Sequence, residues 1–378
     1  MDNPRIIIFS PYTKPYYSGS GINAFSLAKQ LLANGSKVLL VTFNWNLKDN
    51  LKDNYDGLKV VRIPFFNFVF LNKFFLRLYL TFIFPVFFAC FRYRQIVIFG
   101  AFSGYLLLII FSKIFGLKVV FRSTMLGVDD ILSLTKNSKL RRYILGKIDF
   151  YYATNPAFEY CFLSVYPLAK GKVFLTTPGV DLERFSKHST NIERKNNPLS
   201  IISIGNIIPR KGYIELFDNL SLLDIDFTYR ILGADRPKSQ FSWHSDEQME
   251  KIMVHGKKIL GSKVEFLGWI DDVVGYLESS DVFLLNSHKE GLPNSLLEAM
   301  ACGVVPIVNR MDGLDDYLLF DKENSFIFDS FSELAFILTQ LSQNRILLNR
   351  ISNNARKTIK SNFGFSEAVK SIMSVYNK

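Results

Sequence analysis

Apolar runs of strand length recur along the chain, each followed by a helix-like stretch, and the alternation passes through the chain twice. RIIIFS (5–10) reads as a buried strand, INAFSLAKQLLANG (22–35) as a helix stopped by Gly35, and KVLLVTF (37–43) and LKVVRIP (58–64) as the next strands. QIVIFGA (95–101), a helical GYLLLIIFSKIFG (104–116) and LKVVFRST (117–124) follow. These strands are apolar throughout rather than at every second position, which predicts a parallel sheet covered by helices on both faces. The pattern restarts with the strand LSIISIGN (199–206), the helix GYIELFDNLSLL (212–223) and the strand FTYRILGA (227–234). KVEFLGW (263–269), DVFLLNS (281–287) and VVPIVN (304–309) continue it with helices between them. The predicted class is α/β, with two Rossmann-like, doubly wound domains over 1–178 and 179–360, joined near KVFLTTPGVDLERF (172–185). Such sheets bind ligands outside the carboxyl ends of their strands, so a ligand is expected in a cleft between the two domains.

A chain of 378 residues that is 48% hydrophobic buries two sizeable cores and is not a disordered polymer. Its three cysteines, Cys90, Cys161 and Cys302, form no C-x-x-C pair, which fits a reducing compartment. The start MDNPRIIIFS runs straight into a strand without a signal-peptide pattern, so a cytoplasmic location is expected.

Charge changes this picture. The net charge is +11, yet residues 1–180 carry 22 Lys/Arg against 8 Asp/Glu, while the remainder is slightly acidic. The first half is therefore expected to meet something anionic. Phenylalanine concentrates there too, in PFFNFVFLNKFFLRLYLTFIFPVFFACFRYR (64–94). Its apolar run from Leu78 to Phe91 is too short to span a bilayer and is interrupted by Pro85. A helix lying in an anionic membrane surface, with Lys73, Arg77, Arg92 and Arg94 at the headgroups, fits the composition, against the alternative of a helix buried between domains. The basic residues form no compact stripe with a recognition motif, so nucleic acid is not an expected partner.

Three motifs carry candidate chemistry. SGSGINA spells G-x-G-x-x-A with Gly19, Gly21 and Ala24, but residues 11–18 separate it from its strand and no acid ends the second strand. A dinucleotide fingerprint is thereby disfavoured, and Gly19 and Gly21 are read as letting a ligand approach amides at a helix start. SIGNIIPRKGY places Arg210 and Lys211 after a strand, where a forked and a point cation suit a diphosphate. NSHKEGLPNSLLEAMACG places Pro293 in the first turn of a helix, so the amides of Asn294, Ser295 and Leu296 form an anion site. Glu290 and Glu298 flank that helix start, and ligand hydroxyls are suitable partners for two such acids. Asp224 and Asp226 spell D-x-D but precede a strand at the wrong end of the sheet. The four histidines are scattered, and no metal is assigned.

From Lys263 to Leu318 the sequence resembles glycosyltransferase family 4, retaining enzymes of the GT-B fold, with their E-x7-E region. Weaker echoes are the Gly19/Gly21 loop, PGVDLERF and IPRKG. The resemblance implies a metal-independent transferase without a cofactor, using a nucleotide-diphosphate sugar. Glu290 would be catalytic, beside the donor sugar, Glu298 would bind the ribose, and Lys211 the diphosphate. FSEAVKSIMSVYNK resembles the family's last helix, so 361–378 would cross back to the first domain. Three positions depart from the family: Asn206 replaces an arginine, Pro178 an asparagine, and FRSTMLGVDD lacks the usual histidine. Arg122, Ser123, Thr124 or Asp129 would then supply sugar or acceptor contacts.

The expected function is transfer of a sugar to a lipid-linked glycan in bacterial surface polysaccharide assembly, by a protein peripheral on the cytoplasmic face of the inner membrane. Alternatives are a nucleotide-sugar 2-epimerase and a non-catalytic nucleotide-sugar-binding partner of a membrane assembly complex.

Overall fold

The computed structural model describes residues 4–15, 18–46, 48–64, 93–102, 104–185, 198–233 and 246–376. Residues 65–92 lie outside these, and with them almost all of the segment expected to lie on a membrane. The chain forms two compact units, one of Met1–Pro178 with Ser366–Lys378, the other of Gly179–Lys238 with Ser242–Phe365.

The first unit holds an eight-stranded sheet. Its strands are β1 (Arg5–Phe9), β2 (Lys37–Asn44), β3 (Lys52–Tyr55), β4 (Leu58–Pro64), β5 (Gln95–Phe99), β6 (Lys118–Arg122), β7 (Phe150–Ala153) and β8 (Val173–Leu175). They lie in the order β3-β4-β2-β1-β5-β6-β7-β8. All pairings are parallel except the β3–β4 hairpin at one edge, whose Asp56-Gly57 turn suits a two-residue connection. Two apolar layers cover the sheet. One includes Phe9, Ile98, Leu108 and Phe158, the other Ile8, Leu27 and Val97 with Ile372 and Val375 of the final helix, Phe365–Tyr376.

The first helix runs over Gly19–Ala33, three residues earlier than its apolar periodicity predicts. Ser18 is the reason, because its Oγ accepts the Gly21 amide at 2.9 Å and caps the helix. Ser18→Ala is expected to cost about 1 kcal/mol in urea unfolding. An unchanged midpoint would show that the cap contributes nothing.

The second unit holds six strands, β9 (Leu199–Ile204), β10 (Phe227–Leu232), β11 (Val264–Gly268), β12 (Val282–Leu285), β13 (Val305–Asn309) and β14 (Phe326–Phe328). All pair in parallel, in the order β11-β10-β9-β12-β13-β14. The order runs outward from β9 and then reverses at β12. There β9 and β12 share only two register pairs, Ile201 with Val282 and Ile202 with Phe283. The loops leaving the carboxyl ends of β9 and β12 meet at this reversal, the place where an open parallel sheet offers a ligand crevice.

Candidate functional site

The crevice of the second unit gathers the residues that the sequence singled out there. Arg210 and Lys211 sit in a short 3-10 turn, Pro209–Lys211, on the loop after β9. Glu290 sits on the loop after β12. The Lys211 ammonium lies 2.7 Å from Glu290 Oε1, and Arg210 Nη1 lies 3.6 Å from the same oxygen. Arg210 also donates to the Lys289 carbonyl, and the His288 amide donates to the Arg210 carbonyl at 3.1 Å. Below them Asn286 Nδ2 donates to the Gly212 carbonyl at 3.0 Å, so the two loops are tied at both levels.

Burial alone would raise the Glu290 pKa, but the Lys211 charge and hydrogen bond, with Arg210, outweigh it and hold the carboxyl below its usual range. Glu290 is thus an anion at neutral pH, and Lys211 and Glu290 are only 11% and 13% exposed. A carboxylate so held accepts hydrogen bonds and stabilises nearby positive charge, while the two cations beside it offer donors to an anionic group.

Helix Asn294–Ala301 begins one residue later than expected, with Pro293 as its N-cap rather than in its first turn. Proline has no hydroxyl or carboxyl to fold back, so no side chain caps the helix, and the amides of Ser295 and Leu296 need another acceptor. Asn294 opens the same turn. Glu298 follows one turn on, a half-buried side chain whose pKa burial lifts to about 7, with only a weak opposing pull from Arg184.

A raised carboxyl pKa means that the folded state binds a proton more tightly than the unfolded one. Stability contributed by Glu298 is therefore lost as pH rises from about 4.5 to about 7. Glu298→Gln should remove that slope, so that the ligand-free variant gains on the order of 2 kcal/mol over the parent between pH 5 and pH 8. Parallel urea midpoints for the two proteins at both pH values would refute this.

In the first unit the helix start expected at the Gly19/Gly21 loop is present, with open space around Gly19. Gly19 and Gly21 lie inside the first helical turn, and the Gly21 amide is taken by Ser18. A Cβ on Gly21 would stand 2.5 Å from the Tyr12 carbonyl, so this glycine admits the chain's own backbone. Arg122, Ser123 and Asp129 are buried rather than presented to a sugar or acceptor. Arg122 stacks 5.0 Å over the Phe99 ring. Ser123 Oγ donates to the Asp129 carbonyl at 2.8 Å and accepts from the Tyr151 hydroxyl at 2.7 Å. The Asp129 carboxylate takes the amides of Thr124 and Met125 and the Thr124 hydroxyl at 2.6–3.1 Å. Its pKa is nevertheless raised, because burial outweighs those bonds. Ser123 and Asp129 hold the loop after β6 in shape, and of the four only Thr124 retains surface.

Sequence reading passed over Asn286, the residue that ties the loops. It ends an apolar strand in DVFLLNS, and a polar residue at the carboxyl end of a strand beside the order reversal was the signal available.

Comparison with known proteins gives these observations a context. Residues 185–358 match the model of the family described as glycosyl transferases group 1. One component of the Arabidopsis thaliana phosphatidylinositol N-acetylglucosaminyltransferase is 25% identical over 324 residues, which are 83% of this chain and 69% of the relative. The Escherichia coli UDP-Gal:alpha-D-GlcNAc-diphosphoundecaprenol alpha-1,3-galactosyltransferase is 24% identical over 234 residues, covering 58% of this chain and 57% of the relative. Among solved structures, Anabaena Alr3699/HepE in complex with UDP-glucose superposes with a TM-score of 0.76 at 16% identity over 99% of each chain. The fold is GT-B, and residues 185–358 are similar to the group 1 glycosyltransferases.

Proposed function

We propose that this protein is a retaining glycosyltransferase that moves a sugar from a nucleoside-diphosphate donor to a lipid-linked glycan. Its setting would be bacterial surface polysaccharide assembly, at the cytoplasmic face of the inner membrane. The observation that carries the reading is the Lys211–Glu290 pair at the strand-order reversal of the second unit, beside an uncapped helix start. The printed names of the relatives support it. One is a UDP-galactose enzyme acting on a diphosphoundecaprenol glycan, one is named for phosphatidylinositol, and the structural neighbour was solved with UDP-glucose.

The proposed roles follow from charge and position. The diphosphate of the donor takes Lys211, Arg210 and the amides of Asn294, Ser295 and Leu296. These cations and dipoles oppose the negative charge that grows on the leaving diphosphate as the glycosidic bond breaks. Glu290, held as an anion, bonds sugar hydroxyls and faces the positive charge developing on the sugar ring. Glu298 accepts the ribose hydroxyls. In the retaining scheme the acceptor hydroxyl attacks the face from which the diphosphate departs and passes its proton to that phosphate, so no carboxylate becomes a covalent nucleophile. Charge neutralisation by protein groups makes the reaction metal-independent in this reading. The first unit serves the acceptor, and the basic, Phe-rich segment 64–94 the anionic membrane surface.

The test is incubation of the purified protein with a panel of nucleotide sugars, with and without lipid-diphosphate glycans and with EDTA. Nucleotide release that depends on acceptor and survives EDTA, with the donor's anomeric configuration kept in the product, supports the proposal. Isomerised sugar without acceptor supports a 2-epimerase, and binding without turnover supports a non-catalytic partner.

A further inference from the structure

The first unit presents a basic surface with apolar tips among its described residues. Helix Lys139–Leu145, in the stretch KLRRYIL, anchors itself through buried Ile144 and Leu145 and leaves Lys139 to Tyr143 exposed. Leu140 and Tyr143 are each 65% exposed, and Leu168, in the neighbouring turn Pro167–Lys172, is exposed completely. Hydrogen bonds join these pieces into one platform. Arg142 donates to the Val165 carbonyl at 2.9 Å, the Tyr166 hydroxyl donates to the Arg142 carbonyl, and Lys172 donates to the Ile148 carbonyl at 2.9 Å. Residues 131–175 carry seven Lys/Arg against two acids, Asp149 and Glu159, and Asp149 is held by Lys113 at 2.8 Å. Lys147 stands 4.7 Å over the Tyr143 ring.

We propose that this face, with Leu140, Tyr143 and Leu168 at its tips and Lys139, Arg141, Lys147 and Lys170 around them, docks on an anionic lipid surface. Charge complementarity selects the partner's sign. The protruding apolar tips select lipid, because they gain by leaving water at the acyl boundary while the cations remain among headgroups. Nucleic acid would instead call for cations in a track along a backbone, without leucines between them. The inference rests on the membrane part of the proposed function but on different residues, so each can fail alone.

The test uses the full chain and vesicles of phosphatidylcholine with or without phosphatidylglycerol at low salt. Wild type is expected to sediment with the phosphatidylglycerol vesicles and to stay free of those of phosphatidylcholine alone. The triple variant Leu140→Ser, Tyr143→Ser, Leu168→Ser and the double variant Arg141→Glu, Lys147→Glu should each lose at least tenfold in vesicle affinity. Donor hydrolysis without vesicles should stay unchanged in both. As a direct readout, Leu140→Trp should gain fluorescence that brominated acyl chains quench. Wild-type binding in both variants, as when segment 64–94 carries all of it, would overturn the proposal. So would an unquenched Trp, or variants that lose RNA retention while keeping vesicle binding. A protein that turns over no nucleotide sugar would refute the enzyme reading and leave the vesicle result standing.

Discussion

Glu290→Gln is expected to lower kcat for sugar transfer by about three orders of magnitude, which corresponds to about 4 kcal/mol of transition-state stabilisation. Glutamine keeps the volume and one acceptor oxygen, so the loops after β9 and β12 should hold their positions. What disappears is the negative charge that Lys211 and Arg210 maintain on this side chain. A ground-state hydrogen bond to a sugar hydroxyl would survive the exchange in part, so KM should move by much less than kcat. Glu290→Ala is a poorer test, because it leaves the Lys211 ammonium, only 11% exposed, without its partner at 2.7 Å. The loss would then mix chemistry with local collapse. Steady-state rates for Glu290→Gln together with its thermal midpoint decide the matter. A rate within tenfold of the parent would remove Glu290 from the chemistry.

Gly233→Ala should destabilise the second unit by about 3–5 kcal/mol, a shift on the order of 10 °C in its thermal transition. Gly233 follows β10 with φ of +115°, a conformation that alanine adopts only under strain. Space is a harder limit, since a Cβ there would stand 2.2 Å from the Gly205 carbonyl oxygen. That oxygen belongs to backbone fixed in place, as the Gly205 amide donates to Leu232 and the Gly233 amide to Gly268. The ends of β9, β10 and β11 therefore meet at a point with no room for a methyl group. Because Gly205 opens the loop that carries Lys211, the variant should also weaken nucleotide binding. Urea unfolding of the second unit provides the measurement, and a cost below about 1 kcal/mol would show that the loop yields without strain.

The apolar runs made the parallel architecture readable because a strand buried on both faces has no polar positions to disguise it. KVLLVTF and LSIISIGN are of this kind and appear as β2 and β9. The same rule hides β3, whose sequence KDNY is polar because it lies at an exposed sheet edge. β7 and β14 escape for another reason, being only four and three residues long. In the second unit the candidate site was legible because its charged residues interrupt apolar surroundings at strand ends. The loop after β6 misled for a related reason. Arg122, Ser123 and Asp129 carry the chemistry of a binding site, yet that chemistry is directed inward. Periodicity does not report whether a loop carboxylate faces solvent or the amides of its own turn.

The Lys211–Glu290 contact joins residues 79 positions apart. Neither loop carries the constellation alone, and what brings them together is the short β9–β12 ladder. A folding species that has formed β9, β10 and β11 but has not yet docked β12 thus has no donor site at all. Donor would bind the finished unit and none of its precursors, stabilising it by mass action, by about 2.7 kcal/mol at a hundredfold excess over Kd. Under the proposed function, nucleotide protection against unfolding serves as a reporter of one long-range closure, that of β12 on β9.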